Sequence, residues 1–509
     1  MSHAIEQIIK ERLKKLAAFR KAGVEPYPAA ARRSHLAKAI RLGQRGIFVA
    51  GRIRGLRVQG GVMFLDVVDE SGRIQAVVTK DNLKNYQLWR NNLDIGDFVE
   101  VAGRAIKTKA GQLSIEVKSL KLLVKSLRPL PDQWSGLEDI ETRLRQRYLD
   151  ILMSAETKAL FERKAVFWDT CRAFLKKSGF LEVEMPALEA VPGGADAEPF
   201  ITHHNALDTD FYLRISLELP LKKMLVAGYE KVFEIGRIFR NEGIDKEHLQ
   251  DYTQCEFYWA YADYNDLMKF AEKMYKEIIR KTTGGLTTVY EGKKINWAKK
   301  WPRVDYYQVF KKHVGLDLRL ATKEDLYNKA KTLNPKPHTL NPIPYTLNPK
   351  PYTPYPKPYT PYPKPYTLNP NMGRGRLIDL LYKRLVRQHL VQPVFLVDPP
   401  ADIEPLAKRS PKDPSRVERF QIVAAGTELA KGFSEANDPK DQRARFEEQM
   451  KLRAAGDKEA QRLDEDFLEA LEYGMPPAAG FGLSERLFAI LMNRPVRETI
   501  IFPLMRPKN

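Results

Sequence analysis

At 509 residues the chain is long enough for two or three domains. Its composition, 43% hydrophobic and 29% charged, is that of an ordinary soluble protein, and the lack of any run of about 18 apolar residues excludes a transmembrane helix. Two cysteines, Cys171 and Cys255, exclude a four-thiolate zinc site and suit a reducing cytosol, while 84 basic against 64 acidic residues give a net charge of +20 that favours polyanionic partners.

Residues 1–45 read as a basic helical extension. Within it, residues 2–22 alternate apolar and charged side chains at helical spacing, with Ile5, Ile8, Ile9, Leu13 and Leu16 near one face. The segment has no apolar signal core or small-residue cleavage site, so no secretory signal is expected. Residues 46–125 carry five short alternating runs separated by turn signals at Gly60-Gly61 and Asp69–Gly72. That pattern predicts a small closed five-stranded barrel of the oligonucleotide-binding (OB) type, which holds single strands by a basic groove and stacking rings. Arg52, Arg54, Phe64 and Gln75 sit on or beside its strands; a strand phenylalanine is just as commonly a core residue. A linker follows at 126–145, and from 146 to 509 helices and strands mix in an α+β pattern on a mostly antiparallel sheet.

Residues 332–371 interrupt that region with heptapeptide units such as TLNPKPY and TPYPKPY. Their prolines forbid helix, and no apolar seam recurs, so an extended or disordered excursion is expected. The units also read back as a short nucleotide repeat, which points to a DNA-level expansion or assembly error rather than selected function.

The segment 231–261, KVFEIGRIFRNEGIDKEHLQDYTQCEFYWAY, predicts two strands joined by a loop. Period-two alternation puts Glu234, Arg240 and Glu242 on one face of the first strand, and Phe233, Ile235 and Phe239 on the other. On the second strand Tyr252, Gln254, Glu256 and Tyr258 oppose Cys255, Phe257 and Trp259. A solvated face favours lysine and threonine; this one mixes acids, an arginine and aromatic rings, and its loop carries His248. An arginine beside carboxylates and a stacking ring is what a nucleotide and a cationic substrate need.

FRNEG…H…YTQCEFY resembles motif 2 of the class II aminoacyl-tRNA synthetases. GFLEVEMPAL at 179–188 resembles motif 1, and GFGLSERL at 480–487 resembles motif 3. Residues 191–225, 426–439 (GTELAKGFSEANDP) and 470–480 are similar to the lysyl branch of subclass IIb, and six such segments in order are far more specific than any one. The resemblance implies an OB-fold anticodon-binding barrel followed by a class II catalytic domain, an antiparallel sheet flanked by helices. It also implies ATP as co-substrate, magnesium, tRNA bound at anticodon and acceptor end, a cytoplasmic homodimer, and no membrane partner.

By position in the motifs, the resemblance gives Arg240 the α-phosphate of ATP, Arg486 the γ-phosphate and Tyr252 the adenine, with Glu242 and His248 also on the nucleotide and Glu428 on magnesium. Arg240, Glu242 and Arg486 are thereby the catalytic set. Gly194 and Glu218 fall where the family meets the α-amino end of lysine, and Glu435 and Tyr258, with Glu256 nearby, where it meets the ε-ammonium. Arg52, Phe64 and Gln75 become the anticodon readers and Pro186 a dimer-interface residue, while Met185, Trp259, His203 and His204 are assigned to packing or local hydrogen bonds.

The chain departs from the family pattern at several positions. Gln421 stands where a first metal carboxylate is usual, and Lys431 where an asparagine usually contacts the substrate. A second ammonium there repels a cationic substrate unless Glu428 or Glu435 neutralises it. Leu249 replaces an asparagine, and Gly480 and Gly482 lie one residue closer to Arg486 than usual. The odd separation of Glu428 and Glu435 requires a bulge, expected near Gly432. Three rival readings remain at this level: an aspartate- or asparagine-specific synthetase of the same subclass, a catalytically lapsed RNA-binding relative, and a lysine ligase with a protein acceptor.

Overall fold

The computed structural model describes residues 3–131, 137, 139–241, 243, 249–333, 368, 372–457 and 459–507. Almost all of the proline repeat, together with Glu242 and His248, therefore lies outside the described residues. The chain forms two compact units, Met1–Met153 and Ser154–Asn509.

The first unit opens with a helix at His3–Lys21. Its buried side chains are Arg12, Leu16 and Phe19, whereas Ile8 and Leu13 are exposed, so the packed stripe is rotated from the one expected. Arg12 sets the rotation: its guanidinium donates to the carbonyls of Ile95, Ser126 and Arg128. A buried arginine that donates to three carbonyls outweighs two leucine-sized contacts. The barrel strands are β1 (Ile47–Gln59), β2 (Val62–Val68), β3 (Arg73–Thr79), β4 (Phe98–Lys107) and β5 (Leu113–Val124), closed in the order β1-β2-β3-β5-β4. Alternation places Val49, Ile53, Met63, Leu65, Val67, Val99 and Val101 inside. The β2–β3 turn is locked by Asp69, whose carboxylate accepts the N–H groups of Ser71 and Gly72.

In the second unit the chain contributes β6 (Leu181–Glu182), then a small three-stranded sheet of β7 (Leu188–Glu189), β8 (Ile201–His204) and β9 (Thr209–Leu213). There follow β10 (Lys231–Phe239), β11 (Asp251–Ala260), a hairpin of β12 (Thr287–Tyr290) and β13 (Lys293–Asn296), and β14 (Arg303–Asp305). The last strands are β15 (Val394–Val397), β16 (Arg419–Ala424), β17 (Thr427–Ser434) and β18 (Ala478–Ser484). Eight of these make one sheet in the order β14-β15-β16-β17-β18-β11-β10-β6. It is antiparallel from β15 to β10 and parallel at each edge pair.

One face of this sheet is covered by the helices Ala155–Lys177 and Tyr264–Thr283, which bury Phe167, Cys171, Leu175, Met274 and Tyr275 against Phe233, Phe257, Phe420 and Phe481. Local sequence signals fix both helices: Ser154 accepts the Thr157 N–H, and Asp263 accepts those of Asn265 and Asp266. Cys171 and Cys255, far apart in sequence, meet inside this layer as free thiols, Cys171 Sγ donating to Cys255 Sγ at 3.8 Å. Among the described residues no helix is long and apolar enough to cross a membrane.

Candidate active site

Covering one face leaves the other for polar chemistry. Register puts Glu234 opposite Glu256, Gly236 opposite Gln254 and Ile238 opposite Tyr252 across β10 and β11. From β18, Gly480 lies opposite Tyr258 and Gly482 opposite Glu256, while β17 brings Lys431 opposite Gly482 and Phe433 opposite Gly480. Directly paired residues share a face, so four adjacent strands present one face on which acids, an amide and a lysine sit among buried apolar side chains such as Ile238 and Phe433. The register agrees with the alternation for Glu234, Tyr252, Gln254, Glu256 and Tyr258; Arg240 follows the end of the strand, and Glu242 lies outside the described residues.

At the end of β10, Arg240 donates its backbone N–H to Gln250 and its Nε–H to the Ile215 carbonyl, and its guanidinium lies 5.8 Å from the Tyr252 ring centroid. Arg486 begins the short helix Arg486–Leu491 directly after β18. Gln254 and Ser484 pair at that end of the sheet, and Tyr252 and Arg486 each lie two residues further along. Arg240, Tyr252 and Arg486 are therefore gathered at one end of the ionic face. Leu249 packs instead with Ala489 and Val496 under Tyr252, an apolar support for the ring.

Toward the middle of the face lies an acidic pocket. Glu256, 3% exposed, accepts from Ser216 Oγ at 2.9 Å, Gln254 Nε2 at 2.7 Å and the Tyr258 hydroxyl at 3.0 Å. Burial, reinforced by Glu218, pushes its carboxyl up to about 7. Glu435, 1% exposed, sits just past β17, and its Oε1 accepts no hydrogen bond among the described residues. Burial drives its carboxyl well up, against the pull of Lys222. Gly480 is required here: a Cβ on it meets Glu435 Oε1 at 2.2 Å and the Tyr258 ring at 2.3 Å. Gly194, at φ +81°, lies against Ser216 and Glu218, where a Cβ meets the Glu218 Cβ at 2.9 Å. Gly194, Glu218, Glu256, Tyr258 and Glu435 thus lie close together, with the Tyr258 hydroxyl committed to Glu256.

Several expectations need correction. Neither Glu428 nor Glu435 neutralises Lys431. Its ammonium pairs with Glu404 at 3.0 Å, and Arg419 reaches the same oxygen at 3.2 Å. The bulge lies not at Gly432 but at Leu429, where Ile422 pairs with Ala430 and Val423 with Glu428. Gly432 remains in regular register on the apolar side, between Phe420 and Phe481. The extra residue returns Glu428 to the ionic face, where Gln421 Nε2 donates to its Oε2 at 2.6 Å.

The fit for magnesium rests on those two residues. Gln421 Oε1 is buried and accepts no hydrogen bond among the described residues, which leaves one hard amide oxygen beside one carboxylate. Magnesium commonly takes one or two protein carboxylates and fills its shell with phosphate and water, so the pair fits an ion carried in on a nucleotide. No group of three His, Cys, Asp or Glu side chains among the described residues forms a metal cage.

Glu234 shares the ionic face but is engaged structurally, accepting from the Met185 N–H and pairing with Arg214 at 2.7 Å. This pins the segment before Pro186 to β10. Pro186 is exposed, as are Leu181 and Leu188 on either side. His203 pairs with Asp210, His204 rests near Phe211, and Trp259 packs in the core layer beneath Lys231. In the barrel, Phe64 is half-buried on the outer face with Arg57 over its ring at 5.9 Å, so it is not a core residue. Arg52 stacks on Phe98 at 4.2 Å. Gln75 shares the outer face but is buried, its amide oxygen held by Ser114 at 3.0 Å.

Comparison with known proteins agrees with this geometry. Residues 139–506 match the family described as tRNA synthetases class II (D, K and N), and residues 47–123 match the OB-fold nucleic acid binding domain. The chain belongs to the class II tRNA synthetase family, with an OB-fold domain ahead of the catalytic one. Among its relatives is the lysine–tRNA ligase of Moorella thermoacetica, 43% identical over 99% of each chain. Lysine–tRNA ligases of Pelotomaculum thermopropionicum (40% identical, 99% of this chain and 96% of that one) and Roseiflexus sp. (40%, 99% and 100%) are similar over the same span.

Sequence reasoning missed Lys222, Ser216, Glu404 and Arg419. Glu218 and Lys222 stand at helical i,i+4 spacing, a signal that was present but that ordinarily marks a solvated surface pair. Ser216, Glu404 and Arg419 carry no local pattern; only the folded register brings them to the face.

Proposed function

We infer that the chain is a lysine–tRNA ligase, which activates lysine with ATP and transfers it to tRNA. The observation that carries this reading is the pocket of three buried carboxylates, Glu218, Glu256 and Glu435, next to Arg240 and Tyr252 on one sheet face. Lys222 is paired with two of these acids, Glu218 and Glu435, so the carboxyls outnumber the cation among them, as a substrate bearing two ammonium groups requires. Aspartate or asparagine in that place sets a carboxylate or amide against buried acids, a mismatch of several kcal/mol on general grounds.

In the first step the lysine carboxylate attacks the α-phosphorus of ATP and pyrophosphate leaves. The terminal ribose hydroxyl of tRNA then attacks the adenylate carbonyl and AMP leaves. No side chain acts as nucleophile; the residues position groups and stabilise charge. Arg240 holds the α-phosphate with its fork of donors, Arg486 the γ-phosphate, and Tyr252 stacks on adenine. Glu242 and His248 complete the nucleotide contacts. Glu218 and Gly194 hold the α-amino end, and Glu435 with Tyr258 and Glu256 the ε-ammonium. Glu428 and the Gln421 carbonyl would hold magnesium, which neutralises phosphate charge. The exposed Leu181–Pro186–Leu188 strip supports a homodimer through this edge, and the chemistry belongs in the cytoplasm, where charged tRNA is used.

Two outcomes test the parts of this reading. In the barrel, Phe64 offers a half-exposed ring flanked by Arg57 and on the same face as Arg52 and Gln75. Phe64→Ala is expected to lower kcat/KM for tRNA by roughly 10–100-fold, the worth of one base stack, and to leave adenylate formation intact. Unchanged charging kinetics contradict an anticodon role. In the pocket, only ionised Glu256 complements an ammonium, and its carboxyl titrates at about 7. The group is protonated below that pH, so the KM for lysine should rise as pH falls through about 7, by up to about tenfold per unit. The KM for ATP should stay level, and Glu256→Gln should flatten the lysine profile. A wild-type lysine KM constant from about pH 6 to about pH 8 removes Glu256 from the ammonium site.

A further inference from the structure

Behind the acidic pocket lies Lys222, a lysine with no exposed side-chain surface. It belongs to the helix Glu218–Val226, and its Nζ is 2.6 Å from Glu218 Oε1 and 2.5 Å from Glu435 Oε2. The rings of Phe433 and Phe467 lie 5.5 and 5.8 Å from the same nitrogen. The ammonium is thus enclosed by two acids and two aromatic rings. It joins a helix to the strand end that follows β17, and it touches one oxygen of Glu435 while leaving Oε1 without a hydrogen-bond partner among the described residues.

We propose that Lys222 is a positioning residue that ties Glu218 to Glu435 and so fixes the distance between the two carboxylates, making the pocket a ruler for the separation of the two ammonium groups of a diamino acid. The proposal rests on the reading above, in which Glu218 receives the α-amino group and Glu435 the ε-ammonium. Two buried like charges repel and drift apart, or one of them takes up a proton. A shared ammonium opposes both escapes: it pulls each carboxyl down against the burial that raises it, and each acid has one oxygen anchored at a common point. Burial works against the charge on Lys222, but Glu218 and Glu435 together hold it above its ordinary range, so the tie persists through neutral pH. The free Oε1 of Glu435 then faces Gly480 and Tyr258 at a set place. A buried carboxylate oxygen without a donor is a vacancy that a bound ammonium fills.

The consequence is selectivity by chain length as well as by charge. A methylene more or less in a fixed pocket ordinarily changes kcat/KM by about 10–200-fold. Lys222→Met keeps the volume and removes the tie. The readout is lysine- and ornithine-dependent ATP–pyrophosphate exchange in the full-length enzyme. The expected result is a rise in the lysine KM of tenfold or more, a collapse of the lysine-over-ornithine preference, and an ATP KM within about twofold of wild type. A variant that is slower with both amino acids but keeps the wild-type preference assigns Lys222 a merely structural role and overturns the proposal. If Lys222→Met does not fold, wild-type binding of the homologues one methylene shorter and one longer than lysine decides. Both should bind at least about tenfold more weakly than lysine; similar affinities for all three overturn the ruler. Absence of any lysine-dependent exchange in wild type is a separate result: it removes the substrate reading itself, and the proposal with it.

Discussion

Arg240→Ala is expected to lower the rate of lysine-dependent adenylate formation by roughly 10²–10³-fold while tRNA binding persists. The guanidinium is held at one end of the ionic face by the Ile215 carbonyl and lies over the Tyr252 ring. That orientation is fixed before substrate arrives, which is where the catalytic advantage of a charge stabiliser comes from. In the proposed reaction, removing the fork takes away a two-point donor to the charge that develops on the α-phosphoryl oxygens. Lysine at this position restores charge but not the two-point contact, so Arg240→Lys should recover only a small part of the rate. Pyrophosphate exchange and a filter assay for tRNA binding separate the two effects. Exchange within a few-fold of wild type removes Arg240 from the reaction.

Glu435→Gln should have the next largest effect, on substrate binding rather than chemistry. Glu435 is 1% exposed, paired with Lys222 through one oxygen, and open through the other. Neutralising it leaves an incoming ε-ammonium without its counter-charge inside the protein. Removing one partner of a buried pair typically costs about 3–5 kcal/mol, or roughly 10²–10⁴-fold in kcat/KM for lysine. The KM for ATP should stay near wild type, because the nucleotide end of the face lies toward Arg240 and Tyr252. If kcat/KM for lysine falls less than about fivefold in this variant, Glu435 does not hold the ammonium.

The substrate end of the face also explains a residue that looks adverse in sequence. Lys431 places a second ammonium near a site for a cation, yet its charge is met by Glu404, with Arg419 on the same carboxylate oxygen. Burial alone raises a carboxyl, but Lys431 and Arg419 hold Glu404 below its usual range. Lys431 also acts on Glu218, whose carboxyl it pulls down against burial, so the pair with Glu404 engages its charge without isolating it from the acids.

What could be read before folding followed from periodicity. The β10–β11 ribbon was legible because strand side chains alternate strictly, so Glu256 and Tyr258 had to share a face and Phe257 the other. The barrel was legible because its turns carry Asp69 and glycine at the places the geometry demands. Three kinds of feature were not. A helix stripe of apolar residues cannot show that Arg12 outcompetes Ile8 and Leu13 for the packed side, because the carbonyls it satisfies come from distant loops. Pairing such as Lys431 with Glu404 depends on tertiary register and leaves no mark in either segment. Bulge position is set by cross-strand hydrogen bonding, so an odd spacing between Glu428 and Glu435 announces a bulge without saying that Leu429 carries it. Gln75 shows the same limit in the barrel: neither strand alone shows that Ser114 holds its amide oxygen.

The central claim is that the acidic pocket admits a diamino acid and delivers its carboxylate to ATP. Amino-acid-dependent ATP–pyrophosphate exchange tests it most directly, with lysine, aspartate and asparagine supplied one at a time to the full-length enzyme. The account predicts strong exchange with lysine and none above background with the other two. Exchange stimulated by aspartate or asparagine but not by lysine contradicts it.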